Sequence, residues 1–373
     1  MGKQELLTAI DLFAGAGGFS LAARDLGVRI RIAVELDKHS VSTYRKNFVR
    51  RRASPPVVLG ADIRDVKWPE TLAEAGLRPG ECSILMGGPP CQGFSTHRIK
   101  GTGVGDPRNQ LLAAYFDAMA LIQPASFVIE NVTGMLWPRH AGYVNEFMSS
   151  AEKIGYTVLE PTILNAKDFG VPQNRKRVFI VGWRSDLPLS LEWPPKPTHF
   201  PPDSEDVIDF NRRAFVTATS VFATRLPKHD PNAVHINHTE ELLRVFRNTP
   251  KNGGSRSDSG RILPCHEDHD GHRDVYGRIR LNEPGPTMTT ACINPSKGRF
   301  LHPLEDHGIT ARHAARFQGF PDSFTFDGGL FAAARQIGNA VPRQLGRHVL
   351  RVLKRAIEER RAKTCRTIHA DRL

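Results

Sequence analysis

The N-terminal half of the chain alternates short apolar runs with helical patterns, and this alternation leaves few architectures open. LLTAIDLF reads as a buried strand and GGFSLAARDL as a helix ended by Gly27; RIRIAVEL and HSVSTYRKNF repeat the pair. VVLGADI, CSILMGG and SFVIENV read as further strands, with LLAAYFDAMALIQ as a helix between the last two, and TVLEPTILN and RVFIVGW as late strands. Strands alternating with helices predict a doubly wound, mostly parallel α/β sheet. Ligands of such sheets bind beyond the carboxyl ends of the strands, so residues there are the first candidates for function.

The texture changes after Trp183. LEWPPKPTHFPPDSEDV is too proline-rich for a sheet centre and reads as a linker or domain entry. From there to about Phe300 periodicity is weak and Arg, His, Asn and Gly are plentiful, before helical patterns return in ITARHAARFQGF and VPRQLGRHVLRVLKRAIEERR. A chain of 373 residues exceeds the usual single domain, so two domains, or one with a large insertion, are expected. The net charge of +12 suits a polyanionic partner or simply a basic soluble protein. The first residues lack the apolar run of a signal peptide and nothing approaches a membrane-spanning stretch, so a cytoplasmic location is expected. The five cysteines form no CxxC pair, which favours reduced thiols and makes one of them a candidate nucleophile.

The turn FAGAGG stands between the first strand and the first helix, where Gly15, Gly17 and Gly18 let backbone approach a ligand at the helix N-terminus. Glu35 ends the second strand, where a carboxylate can accept both hydroxyls of a ribose, and Asp62 follows the third, where it can accept from an adenine amino group. The pattern fits NAD, FAD or S-adenosylmethionine (SAM), as well as a purely structural turn. Phe13, placed to pack on adenine, and the incomplete GxGxxG spacing favour SAM.

Cys91 follows another strand inside GGPPCQGFS, a turn braced by prolines and glycines. A free thiol is only a few per cent thiolate at neutral pH, so it needs help to react. Arg175 and Arg177 in QNRKR supply positive charge, and Glu130 in IENV ends a strand of the same sheet. A nucleophile, an acid and arginines beside a SAM pocket suit methylation of an electron-poor ring carbon through covalent activation.

These stretches, in this order, resemble the cytosine-C5 DNA methyltransferases of the bacterial type. DLFAGAGGFS is similar to the first SAM motif, GGPPCQGFS to the nucleophile motif, ENV to the acid motif and QNRKR to the glutamine-arginine motif. RIRLNEPGPTMTT resembles the motif that organises the recognition domain, and QIGNAVP the one that completes the SAM pocket. The resemblance implies a Rossmann-like catalytic domain at 1–184 plus 305–373, with a smaller, irregular target-recognition domain inserted at 185–304. It implies that Cys91 adds to cytosine C6, that Glu130 engages N3 and the exocyclic amine, that Arg177 reads O2, and that Arg175 supports the loop and a nearby phosphate. Phe13, Glu35, Asp62, Ile63, Pro89, Leu111 and Asn339 are the implied SAM contacts, with the glycines of the turn.

A cytosine inside a duplex must be flipped out before it can be methylated. STHRIKGTGVGDPRN has glycines for a mobile lid, and Ser95, Arg98 and Lys100 are placed to meet DNA, although a surface loop without function has the same composition. Cys265, His266, His269 and His272 gather with His235 and His238 nearby, but their spacing matches no standard pair of ligand pairs, so no metal is expected. GNAVPR departs from the family's usual GNAVPP at Arg343 and leaves Asn339 in place. The expected partner is double-stranded DNA, bound by a monomer; most such relatives protect host DNA from a separate restriction endonuclease. A tRNA methyltransferase on the same scaffold, a catalytically silent DNA-binding homologue and a nicotinamide oxidoreductase are the competing readings.

Overall fold

A computed structural model describes residues 6–50, 54–90, 110–260 and 274–370, with side chains described to residue 364. Five strands pair in parallel: β1 (Thr8–Leu12), β2 (Arg29–Glu35), β3 (Val57–Gly60), β4 (Ile84–Gly87) and β5 (Ser126–Asn131). Three more complete the sheet: β6 (Tyr156–Val158), β7 (Thr162–Asn165) and β8 (Lys176–Arg184). The order is β3-β2-β1-β4-β5-β8-β6, with β7 also paired to β8. The expected α/β class is therefore present, with one difference in detail: β8 runs antiparallel to β5 and β6. All of β4 and β5 is buried, as strands covered on both faces must be.

Helices α1 (Gly18–Asp25), α2 (Lys38–Tyr44), α3 (Trp68–Glu74), α4 (Gln110–Ile122) and α5 (Ala141–Lys153) fall between strands. Beyond Tyr44 the chain widens into a π-helical turn, Arg45–Val49, which carries the buried Phe48. The core joins Ile10, Leu12, Leu85, Phe127 and Ile129 of the strands to Tyr115, Met119 and Phe147 of α4 and α5. The long closing helix, Arg343–Ala370, buries Leu345, Val349, Leu353 and Ile357, and its Lys354 Nζ donates to the Leu26 carbonyl at the end of α1, 3.0 Å away. No helix among the described residues is long and apolar enough to cross a membrane.

Packing divides the chain into two compact units: 1–164 with 176–196 and 345–373, and 165–175 with 197–344. The second unit carries little regular structure beyond Glu240–Asn248, Ala311–Phe317 and Gly329–Asn339. Buried arginines organise it instead. Arg278 donates to the carbonyls of Thr249 (3.0 Å), Phe246 (2.6 Å) and His302 (2.9 Å), and Arg312 pairs with the equally buried Asp230. The Arg312–Asp230 pair ties a residue beyond 304 to the irregular region.

Candidate active site

Register places the ends of the parallel strands along one edge. Leu12 lies opposite Val34 and Gly87, Gly87 opposite Ile129, and Glu35 opposite Gly60. An antiparallel strand starts where parallel ones finish, so β8, with Asn131 paired to Val178, brings Arg177 to that same edge.

The glycine turn leaves β1 through left-handed backbone at Phe13 (φ 56°), Gly15 (φ 55°) and Gly17 (φ 94°). Gly17 is obligatory twice over: its φ is left-handed, and a Cβ there would stand 2.4 Å from the Phe48 ring. Gly15 differs, because a Cβ on it would meet open space. Below the turn, Ser20 Oγ donates to Asp11 Oδ2 (2.6 Å) and lies 2.6 Å from the Tyr44 hydroxyl, all three residues being buried. Burial pushes the Asp11 carboxyl up to about 7, although Ser20 pulls against it.

Glu35 is clamped by backbone: Oε2 accepts from Gly15 N (2.8 Å) and Oε1 from Asp37 N (2.7 Å). Burial raises its pKa and those two N–H groups offset part of the rise. Asp62 faces its own loop, where Arg64 binds both carboxylate oxygens and holds the group down at about 2. The neighbouring Ile63 is buried and Leu111 packs half-buried on the core. Leu36, immediately after Glu35, is 66% exposed.

Further along the edge, Gly87 sits so close to β1 that a Cβ would be 2.8 Å from the Leu12 carbonyl oxygen. Gly88 leaves room for Glu130, whose Oε2 would be 3.3 Å from a Cβ there. Asn131 Nδ2 donates to the carbonyl of the buried Pro89 (3.3 Å), fixing the turn that leads into Cys91; its part was missed from sequence. Glu130, 7% exposed, pairs with Arg177, Nε to Oε1 2.9 Å. Such a carboxyl, held against a guanidinium, is suited to meeting a ring nitrogen and its neighbouring amine.

Cys91, Ser95, Arg98 and Lys100 lie outside the described residues, as do Cys265, His266, His269 and His272. The two cysteines whose side chains are described, Cys82 and Cys292, are buried, and burial pushes both thiols up to about 12. Neither is a nucleophile at neutral pH. His235 stacks on His307 at 4.0 Å, and among the described residues no three His, Cys, Asp or Glu are grouped to hold a metal ion.

Arg175 and Asn339 belong to the second unit. Arg175 is 1% exposed and donates to the carbonyls of Met288 (2.7 Å), Gly338 (2.7 Å) and Ala340 (3.2 Å). A guanidinium so enclosed by backbone braces the protein and does not reach a phosphate, which corrects that part of the expectation for it. Asn339 is exposed at the end of the helix Gly329–Asn339.

Residues 7–355 match the family model of the C-5 cytosine-specific DNA methylases. The chain is 32% identical to the Type II methyltransferase M1.HphI of Haemophilus parahaemolyticus, over 90% of this chain and 83% of that protein. It is also 32% identical to the Type II methyltransferase M.NgoPII of Neisseria gonorrhoeae, over 94% and 96%. Among solved structures, a prophage-encoded E. coli protein assigned as a DNA modification methyltransferase is similar at TM-score 0.65 and 25% identity, covering 94% of this chain and 99% of its own.

Proposed function

Because this chain belongs to the C-5 cytosine-specific DNA methylase family and is a DNA (cytosine-5) methyltransferase, we propose that it methylates a flipped-out cytosine at C5 through a covalent Cys91–C6 bond. The observation that carries this reading is the pairing of Glu130 with Arg177 beside the Asn131-held turn that leads into Cys91.

In this reading the Cys91 thiolate adds to C6 and breaks the aromaticity of the ring. Glu130 supplies a proton to N3 as negative charge develops there, and Arg177 holds O2 while keeping the Glu130 carboxyl in place. C5, now an enamine carbon, takes the methyl group. Loss of the C5 proton to water, return of the N3 proton to the Glu130 carboxylate and departure of the Cys91 sulfur from C6 restore the ring. SAM supplies the methyl group when bound, and Phe13, Gly15, Glu35 and Asp62 would hold it. The Glu35 carboxylate, clamped by backbone beside the glycine turn, supports a hydroxyl-bearing ligand at that place.

Residues 185–304 would read the target, with Ser95, Arg98 and Lys100 meeting the DNA as the cytosine leaves its stack. The enzyme would act as a cytoplasmic monomer and protect host DNA from a separate endonuclease. Expression in a methylation-free bacterial host, followed by base-resolution sequencing for 5-methylcytosine, tests this. The expected result is near-complete modification at one short motif, abolished by Cys91→Ala. An unmodified plasmid alongside soluble protein, with 5-methylcytosine in tRNA instead, would overturn it.

A further inference from the structure

Four arginines of the second unit that are largely withdrawn from water each have a carboxylate: Arg278 has Asp306, Arg299 has Asp274, Arg312 has Asp230 and Arg316 has Asp322. Arg256, in the loop PKNGGSRSDSG at 250–260, departs from that pattern. Its side chain is half-buried, and Nε and Nη1 are enclosed with no hydrogen-bond partner among the described residues. The nearest carboxylate along the chain is engaged elsewhere, since Asp258 Oδ2 accepts from Ser255 N (2.7 Å) and Ser255 Oγ (3.1 Å). Nη2 has no partner either but is not enclosed, so it is the nitrogen left facing water.

The loop holds that charge in place. Asn252 N donates to Pro303 O (2.8 Å), and Leu281 N donates to Asn252 Oδ1 (2.7 Å). Arg299 Nη1 donates to Gly253 O (2.9 Å) and Arg278 N to Gly254 O (2.9 Å). Gly253 turns in left-handed conformation (φ 111°) against Arg280, whose Cγ would stand 2.5 Å from a Cβ there. Ser259 closes the far side, donating from N (3.0 Å) and Oγ (2.7 Å) to the Arg256 carbonyl. Surface loops are usually mobile; this one is fastened on both sides of a guanidinium whose enclosed donors cost free energy while they lack an acceptor. A fixed, uncompensated charge of this kind is half of an ion pair, and the other half is an anion from outside the chain.

We propose that Arg256 is a phosphate contact, its Nη2 meeting the backbone of the DNA duplex. This rests on the reading of residues 185–304 as the segment that meets the target. Reading a guanine requires two N–H groups along one edge of the guanidinium, and each edge that pairs two nitrogens includes Nε or Nη1, both enclosed. A single outward nitrogen suits a phosphate oxygen. Arg256 then fixes where the duplex lies and leaves the choice of bases to other side chains.

DNA binding by the full-length enzyme tests the proposal. Fluorescence anisotropy between about 50 and 200 mM salt is followed on two duplexes, one carrying the motif that the enzyme methylates and one lacking it. Wild type is compared with Arg256→Gln, Arg256→Lys and Arg247→Gln, with thermal melting of each. Arg247 is exposed and paired with Glu240, so its loss removes the same charge without removing a contact to DNA. Arg256→Gln is expected to weaken binding to both duplexes about tenfold and to lower the salt slope by about one, whereas Arg256→Lys, which keeps a point charge, holds the slope. The melting temperature of Arg256→Gln should not fall below wild type, because the donors it removes have no partner. Should the glutamine variant fail to fold, Arg256→Met, which keeps an unbranched apolar stem, gives the same comparison. If the Arg256 variant binds no more weakly than Arg247→Gln, Arg256 is no phosphate contact and the proposal falls. It falls equally if only the motif-bearing duplex is affected, since that is base reading. A wild-type enzyme that binds tRNA and neither duplex would overturn the reading on which the proposal rests, and the proposal with it.

Discussion

Glu130 and Arg177 face each other where water is scarce, so neither can be changed without disturbing the other. Glu130→Gln keeps the shape but not the charge that faces Arg177, and should cut single-turnover methyl transfer by at least ~100-fold while also lowering the melting temperature. Arg177→Ala leaves a carboxylate uncompensated in a nearly dry site and should also cost roughly 3 kcal/mol of stability, read by denaturant unfolding. Asp11 makes a second case at this scale, with a defined pH window. Its carboxyl titrates near 3.8 unfolded and about 7 folded, so the folded state holds a proton that the unfolded chain has lost. Stability from this group is therefore intact below about pH 4, falls as pH rises between the two values, and reaches its full penalty above about 7. Asp11→Asn removes that penalty, so its melting temperature should gain on wild type as pH goes from 5 to 8; a gap that does not change with pH would mean that Asp11 is ionised throughout.

At the scale of elements, the glycine turn separates two requirements that a sequence motif merges. Gly15→Ala meets only backbone strain and should cost about 1 kcal/mol, whereas Gly17→Ala adds a collision with Phe48 and should cost about 3 kcal/mol. Phe48→Leu, by making room, should return part of the second loss in thermal melting and none of the first. The π-helical turn that places Phe48 could not be read from HSVSTYRKNF, which carries an ordinary helical pattern. The strands were legible for the reason that buried ones usually are, as short apolar runs closed by glycine or a polar residue. Their direction was not: an apolar run such as RVFIVGW is equally buried either way, and only the structure shows that β8 turns back. Within the site, Glu35 and Glu130 could be found because each ends a strand. Asn131 acts through a hydrogen bond to Pro89, far away along the chain, and leaves no local pattern.

For the whole molecule, a net charge of +12 predicts a steep response to salt. Raising salt from about 50 to 200 mM should weaken DNA binding by orders of magnitude, measured by fluorescence anisotropy on a duplex, while KM for SAM changes little. The second unit was the least legible part because buried arginines on backbone carbonyls hold it together, and these replace the hydrophobic periodicity that a sequence reading follows. It is also assembled from two excursions of the chain, a short one at 165–175 and a long one at 197–344. Anyone transplanting this unit into a relative to change its specificity would naturally move the long piece alone. That graft would leave behind Gln173 and Arg175, the partners on which Met288, Gln318, Gly338 and Ala340 depend, and import a module cut away from its own fastening. A working exchange has to carry both pieces.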